Sequence, residues 1–249
     1  MIRQTKRLTR PYMRAVQGSY RSMRHSLTVK SPPWLSRSLD PVLDYFDLIF
    51  VDHGVFRAIY PNRHNLSADA WRSSQPSPLD IKRLARRGLR TIVNLRGDRD
   101  CGSYRLQERA CERYGIRLIN FIAKSRQAPT RRFFHDAKAL FESVEYPLLL
   151  HCKSGADRVG LMSVLYMIFK EGRPVEDARR QLSLKYGHFR QADTGVLDLV
   201  FDSYLAHSSQ EPITFLDWID RYYDEKAIRD RFRAQSWANL LVNRLMRRE

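Results

Sequence analysis

The sequence predicts an α/β fold, with a mainly parallel central sheet flanked by helices and a helical C-terminal part. Two observations carry this. Short apolar runs, Thr91–Leu95 and Leu148–His151, and the alternating Ile116–Ile122, are interleaved with stretches of helical spacing, and strand–helix–strand order implies parallel pairing with crossover helices. Beyond Arg158, nearly every stretch has helical periodicity, with Leu161, Val164, Leu165 and Ile168 on one face before Gly172.

Taken in order, Leu39–Tyr60 carries Val42, Leu43, Phe46, Ile49, Phe50 and Phe56, with Asp44 and Asp47 between them. Its early part is expected to be an amphipathic helix packed by its apolar face. Trp71–Gln75 reads as a short extended segment. Ser77 is expected as an N-cap with Pro78 as first helical residue, and that helix runs to about Arg87, ending at Gly88. Thr91–Leu95 is a buried strand. A polar loop, 96–103, leads to a helix near Tyr104–Tyr114 that stops at Gly115. After the strand Ile116–Ile122 and the loop Lys124–Pro129, Thr130 caps a helix from about Arg131 to Val144. Pro147 opens a third strand, Leu148–His151. Further helices are expected near 174–186, 194–206, 214–222 and 226–246. The domain reading is a basic arm over 1–38, a central α/β domain over 39–210 and a basic helical extension over 211–249.

The chain has 249 residues, 43% of them hydrophobic, and 44 Lys and Arg against 27 Asp and Glu, a formal charge of +17. That excess predicts an anionic partner: a phosphorylated substrate, an acidic lipid surface or nucleic acid. Nucleic acid is the weakest of the three, because no RNP-like, zinc-finger or helix-turn-helix signature is present. Three cysteines, Cys101, Cys111 and Cys152, without framework spacing argue for a reducing compartment. No metal site or cofactor motif is expected. Nothing reaches the roughly 18 apolar residues of a spanning helix. Residues 1–39 lack Asp and Glu and are rich in Arg, Lys and Ser; a disordered arm is expected, and a mitochondrial import sequence stays open. The expected location is cytoplasmic, with peripheral attachment at an inner membrane as a further expectation.

The chemistry lies in Leu148-Leu149-Leu150-His151-Cys152-Lys153-Ser154-Gly155-Ala156-Asp157-Arg158-Val159-Gly160-Leu161. A buried strand ends in a short loop of small residues, and a helix starts at once. Parallel sheets place ligands at the C-terminal ends of their strands, and helix N-termini offer free amides and positive potential to anions. Lys153, Ser154, Gly155, Ala156, Asp157 and Arg158 are therefore expected to wrap a phosphate. The same field favours a thiolate at Cys152, the expected nucleophile. The planar fork of Arg158 can take two phosphoryl oxygens. His151 is expected to orient the loop.

His-Cys-Lys-Ser-Gly-Ala-Asp-Arg resembles the H-C-x5-R signature of the protein tyrosine phosphatase superfamily, and is most similar to its dual-specificity-like branch, including bacterial members with G-A-D-R in this loop. Trp71-Arg72-Ser73-Ser74-Gln75-Pro76 resembles the start of that domain and Thr91-Ile92-Val93-Asn94-Leu95-Arg96 one of its strands. The resemblance spans about 55–205 and implies a cysteine-phosphatase fold. It also implies phosphomonoester hydrolysis through a phosphocysteine on Cys152, phosphoryl binding by Arg158, and no metal. Expected substrates are phosphotyrosyl proteins, or anionic phospholipid or inositol phosphate headgroups.

Two departures from that pattern bear on mechanism. The residue after the Arg is usually Ser or Thr, whose hydroxyl helps the thiolate leave; here it is Val159. The usual acid loop reads Lys124-Ser125-Arg126-Gln127-Ala128-Pro129, with no carboxylate. Asp157 is the expected substitute acid, with Asp98 and Asp100 as alternatives. These departures also admit a slow-turnover or non-catalytic phosphate-binding module. Lys124, Arg126, Arg131, Arg132 and Lys153 are candidates for a cationic rim suited to polyanionic substrates, and the Arg-rich segment 229–248 for docking on acidic lipid.

Overall fold

The fold is described from a computed structural model, for residue 40, residues 42–48 and residues 61–245, with side chains to residue 235. The arm 1–38 lies outside the described residues. So do Ile49, Phe50 and Phe56 of the segment read as a helix over 39–60.

Among the described residues, five strands form one sheet in the order β1-β2-β5-β3-β4. They are β1 (His64–Asn65), β2 (Ala70–Ser73), β3 (Thr91–Asn94), β4 (Arg117–Asn120) and β5 (Leu148–His151). β2, β5, β3 and β4 run parallel, and β1 pairs antiparallel with β2. The sheet thus gains a two-strand edge that the sequence announced only as an extended segment at Trp71–Gln75. In register, Ser73, Asn94 and His151 stand level, so three strands end on one rim.

Alternation along the central strands explains how both faces are covered. Leu148, Leu150 and Val93 point into a large cluster with helices α3 (Arg131–Ser143) and α4 (Asp157–Phe169). Leu149 and Ile92 point to the opposite face, against α1 (Pro78–Ala85) and α2 (Gly102–Tyr114). All five side chains are fully buried.

The caps are those the residue types dictate. The Ser77 hydroxyl accepts from the Asp80 amide and the Asp80 carboxylate accepts from the Ser77 amide, closing a capping box ahead of α1. Thr130 accepts from the Phe133 amide ahead of α3. Gly115 takes φ +64° at the end of α2.

Two expectations are corrected. In the helical stretch 42–46, the apolar residues are not the buried ones: Val42, Tyr45 and Phe46 are exposed and Leu43 is half-buried, while Asp44 and Asp47 are buried. The reason is α2. Asp44 accepts from Arg105 Nε at 3.0 Å and from Arg109, and Asp47 accepts from the Gly102 amide. A Cβ on Gly102 would stand 2.7 Å from the Asp44 backbone, so glycine permits the approach. Over 174–186, a continuous helix is replaced by α5 (Val175–Ala178) and two 3-10 turns, Arg179–Gln181 and Leu184–Tyr186. Here the Gln181 carbonyl is diverted to the Arg72 guanidinium at 2.8 Å, and Leu182 is pressed against Gly160. Both contacts are tertiary, outside any local pattern.

The remaining helices are α6 (Val196–Ser208), α7 (Phe215–Arg221) and α8 (Glu225–Leu245). Phe215, Trp218, Ile219, Tyr223 and Ile228 belong to the large cluster. Arg131, read as part of a cationic rim, instead donates to the carbonyls of Asp220 (2.8 Å) and Tyr223 (2.6 Å), satisfying the end of α7. Among the described residues, no helix is long and apolar enough to cross a membrane.

Candidate active site

The loop from Cys152 to Ala156 joins β5 to α4 at the rim where three strands end. Its curl rests on Gly155, at φ +76°, packed on the end of β2; a Cβ there would lie 2.7 Å from the Ser74 nitrogen. Any side chain at 155 meets both the left-handed conformation and rigid backbone.

Helix α4 begins without a side-chain cap, because Ala156 occupies the capping position. The amides of Ser154, Ala156, Asp157 and Arg158 have no backbone acceptor among the described residues. Unmet donors of this kind at a helix start, with the helix dipole, favour an anion. The Gly155 amide lies 3.3 Å from Cys152 Sγ and donates to it. Cys152 is 2% exposed. Among the described residues, no carboxylate pairs with Arg158, which leaves its guanidinium available to an anion. Val159 is fully buried.

The loop is held from behind by side chains the sequence singled out only in passing or not at all. Arg72, fully buried on β2, donates to the carbonyls of Gly155 (2.9 Å) and Ala156 (3.3 Å), and to the carbonyl and side-chain oxygens of Gln181 (both 2.8 Å). Its guanidinium lies 3.9 Å from the centre of the Tyr186 ring. Burial lowers its pKa to about 10, against the Tyr186 and Cys152 charges that favour protonation; it is cationic at neutral pH. Arg72 thus holds two loop carbonyls, while the Gly155 amide donates to Sγ. Asn62 adds a second tie, donating to the carbonyls of Ser154 (3.0 Å) and Tyr186 (2.9 Å). The available signal for Arg72 was a charged residue within a short segment read as extended, Trp71–Gln75.

His151 is fully buried. The Gln107 amide nitrogen lies 2.6 Å from His151 Nε2 and donates to it, which leaves the ring proton on Nδ1, 3.4 Å from the Cys152 carbonyl oxygen. The orientation of Gln107 follows from its neighbours: Gln75 donates to the Gln107 side-chain oxygen, and Arg96 donates to that of Gln75.

Asp157 stands at the first position of α4, and its carboxylate lies 2.8 Å from Nδ1 of His188; Nε2 of the same ring lies 2.7 Å from Asp198 on α6. With a carboxylate at each nitrogen, the ring donates on both sides only as an imidazolium. Burial opposes that charge, but the bonds to Asp157 and Asp198 outweigh it and raise the His188 pKa to about 9. A raised folded pKa gives stability that is complete below the ordinary value of 6.5 and is lost as pH rises through about 9. Thermal melts should therefore show a loss of up to about 3 kcal/mol between pH 7 and 10. His188→Gln should flatten that dependence while lowering stability at pH 7. An unchanged slope in His188→Gln would show that the ring is neutral.

Asp98 is exposed, and Asp100 is exposed and bonded to Arg105. Lys124 and Arg126 are exposed, and Arg132 pairs with Asp136 at 3.4 Å. The three thiols are free. Burial, aided by Glu108 and Glu112, pushes the Cys111 thiol up to about 12, and no loop amide surrounds it.

A parallel sheet whose central strand feeds a cysteine-bearing, amide-lined loop and then a helix bearing arginine in its first turn defines a phosphatase of the tyrosine and dual-specificity class. The family model PTP-NADK, described as a DSP-PTPase phosphatase fused to NAD+ kinase, matches residues 58–195, and the chain belongs to that family. No curated protein matches the chain. Among solved structures, the chain is similar to TpbA of P. aeruginosa (17% identity, TM-score 0.42, covering 68% of this chain and 88% of that one). It is also similar to a putative phosphatase of Neisseria meningitidis (23%, 0.42, 54% and 94%) and to human DUSP28 (13%, 0.44, 59% and 96%).

Proposed function

We propose that this phosphatase hydrolyses phosphomonoesters through a phosphocysteine on Cys152, with aryl phosphates of the phosphotyrosine type as its preferred substrates. One observation supports the mechanism: Cys152 Sγ accepts from the Gly155 amide in a loop whose neighbouring amides have no backbone acceptor, ahead of an Arg158 that no carboxylate among the described residues engages. In this reading Sγ attacks phosphorus, Arg158 and the amides of 154–158 hold the equatorial oxygens, and the leaving oxygen departs. Water then attacks the phosphocysteine, releasing phosphate and restoring the thiolate.

The preference for aryl esters follows from the acid. The loop 124–129 carries no carboxylate, and Asp157 accepts a hydrogen bond from a buried imidazolium, a geometry that suits positioning of α4 rather than proton donation. An alkoxide needs a proton to leave; a phenolate does not. A phospholipid or inositol phosphate substrate is the weaker reading, because Arg131 is engaged by α7 and so withdrawn from the cationic rim. The slow-turnover alternative rests on Val159, which offers no hydroxyl to the departing thiolate.

Acid quenching during turnover of an aryl phosphate should leave phosphate on the peptide containing Cys152, and phosphotyrosyl peptides should be cleaved at least about 100-fold faster than phosphoseryl peptides or phospholipids. A phosphate adduct elsewhere would defeat the mechanism, and equal rates on phosphoserine would defeat the substrate preference.

A further inference from the structure

A cleft of about 720 Å³ opens behind the loop, between the end of α4 and the 3-10 turns. None of residues 152–158 lines it, so it is a different space from the one that faces Cys152. Its lining includes five cations, Arg173, Arg179, Arg180, Lys185 and Arg190, and three carboxylates, Asp177, Asp198 and Asp202.

The charges do not cancel. Asp202 is taken by Arg179 and Arg190, Asp198 by the buried His188, and Asp177 by Arg180 at 3.4 Å between two exposed side chains. Arg173 and Lys185 have no carboxylate partner among the described residues; Lys185 only overhangs the Tyr186 ring, 5.4 Å from its centre. A weak exposed pair such as Arg180–Asp177 yields readily to a stronger anion. The cleft therefore offers three cations on separate elements, the turn after α4, the first 3-10 turn and the second. Ser183 lies among them, and Leu182 and Tyr186 form a buried apolar floor. Single phosphate would satisfy one of these groups. A ligand bearing several phosphoryl groups would engage all three at once, with bidentate bonds from the arginines.

We propose that this cleft is a second anion site, distinct from the catalytic loop, that binds a compact ligand carrying two or more phosphoryl groups. The proposal does not depend on what the catalytic loop hydrolyses.

The test is calorimetric titration of the full chain carrying Arg158→Met, which weakens the catalytic loop as a competitor. Inorganic tripolyphosphate should bind with one ligand per chain, and Arg173→Ala/Lys185→Ala should weaken it roughly tenfold or more. Arg180→Ala alone should weaken it by a smaller factor. All of these side chains are exposed, so the variants should melt like the parent. Tripolyphosphate affinity that is unchanged in Arg173→Ala/Lys185→Ala, or that is lost on Arg158→Met alone, would overturn the proposal.

Discussion

Cys152→Ser should reduce phosphate release from para-nitrophenyl phosphate by at least about 10⁴-fold. A serine hydroxyl fits the space that holds Sγ, so the melting temperature should stay close to that of the parent. What changes is the nucleophile. The Gly155 amide donates to Sγ at the start of α4. An alcohol does not ionise at neutral pH, and among the described residues no side chain within hydrogen-bonding reach of Sγ can take its proton. The amides and Arg158 remain, so the variant should still bind phosphate or vanadate. Binding kept and turnover lost is the pattern expected of a missing nucleophile. Substantial release by clean Cys152→Ser protein would remove Cys152 from the chemistry.

Arg158→Lys should cost about 10²- to 10³-fold in kcat/KM. Charge is conserved, so the loss isolates geometry. A guanidinium presents two parallel N–H donors to two oxygens of a planar, transferring phosphoryl group, and an ammonium presents a single point of charge. Because Arg158 has no carboxylate partner among the described residues, Lys would release none of them. The loss should fall mainly on kcat, since the bond to two equatorial oxygens strengthens in the transition state. Recovery of most kcat/KM by Lys would rule out bidentate recognition.

Much of the framework was legible in local pattern. The runs at 91–95 and 148–151, the caps Ser77 and Thr130, and the stop at Gly115 each depend on neighbours within a few residues, and each has its counterpart in the fold. The loop between Cys152 and Arg158 was legible for the same reason: strand end, small residues and helix start are contiguous. What escaped depends on contacts across long stretches of chain. Arg72 grips Gly155 and Gln181, more than eighty residues away. That grip breaks the helix that periodicity predicts over 174–186. His188 gave no sequence signal, because its meaning comes from Asp157 and Asp198 on two different helices. Asp44 and Asp47 invert the expected face of their helix because two arginines and a glycine on α2 happen to meet them. Periodicity ranks apolar faces as buried and has no means of seeing an ionic one.

The buried Asp44 also bears on where the cooperative unit of unfolding ends. The stretch that carries the family likeness starts at residue 58 and stops at 195, yet Asp44 and Asp47 dock on α2 from before it, and Phe215, Trp218 and Tyr223 enter the central cluster from after it. A fragment trimmed to 58–195 would keep every loop residue and lose material at both flanks. Its α2 would start with Gly102 and Ser103 laid bare, and Phe134 would lose its edge-on contacts with Phe215 and Tyr223. Amide exchange in the intact chain should report this directly: slow exchange in α7, past the C-terminal limit, and at the Gly102 amide, whose acceptor Asp47 lies before the N-terminal one, marks one foldon wider than the matched stretch.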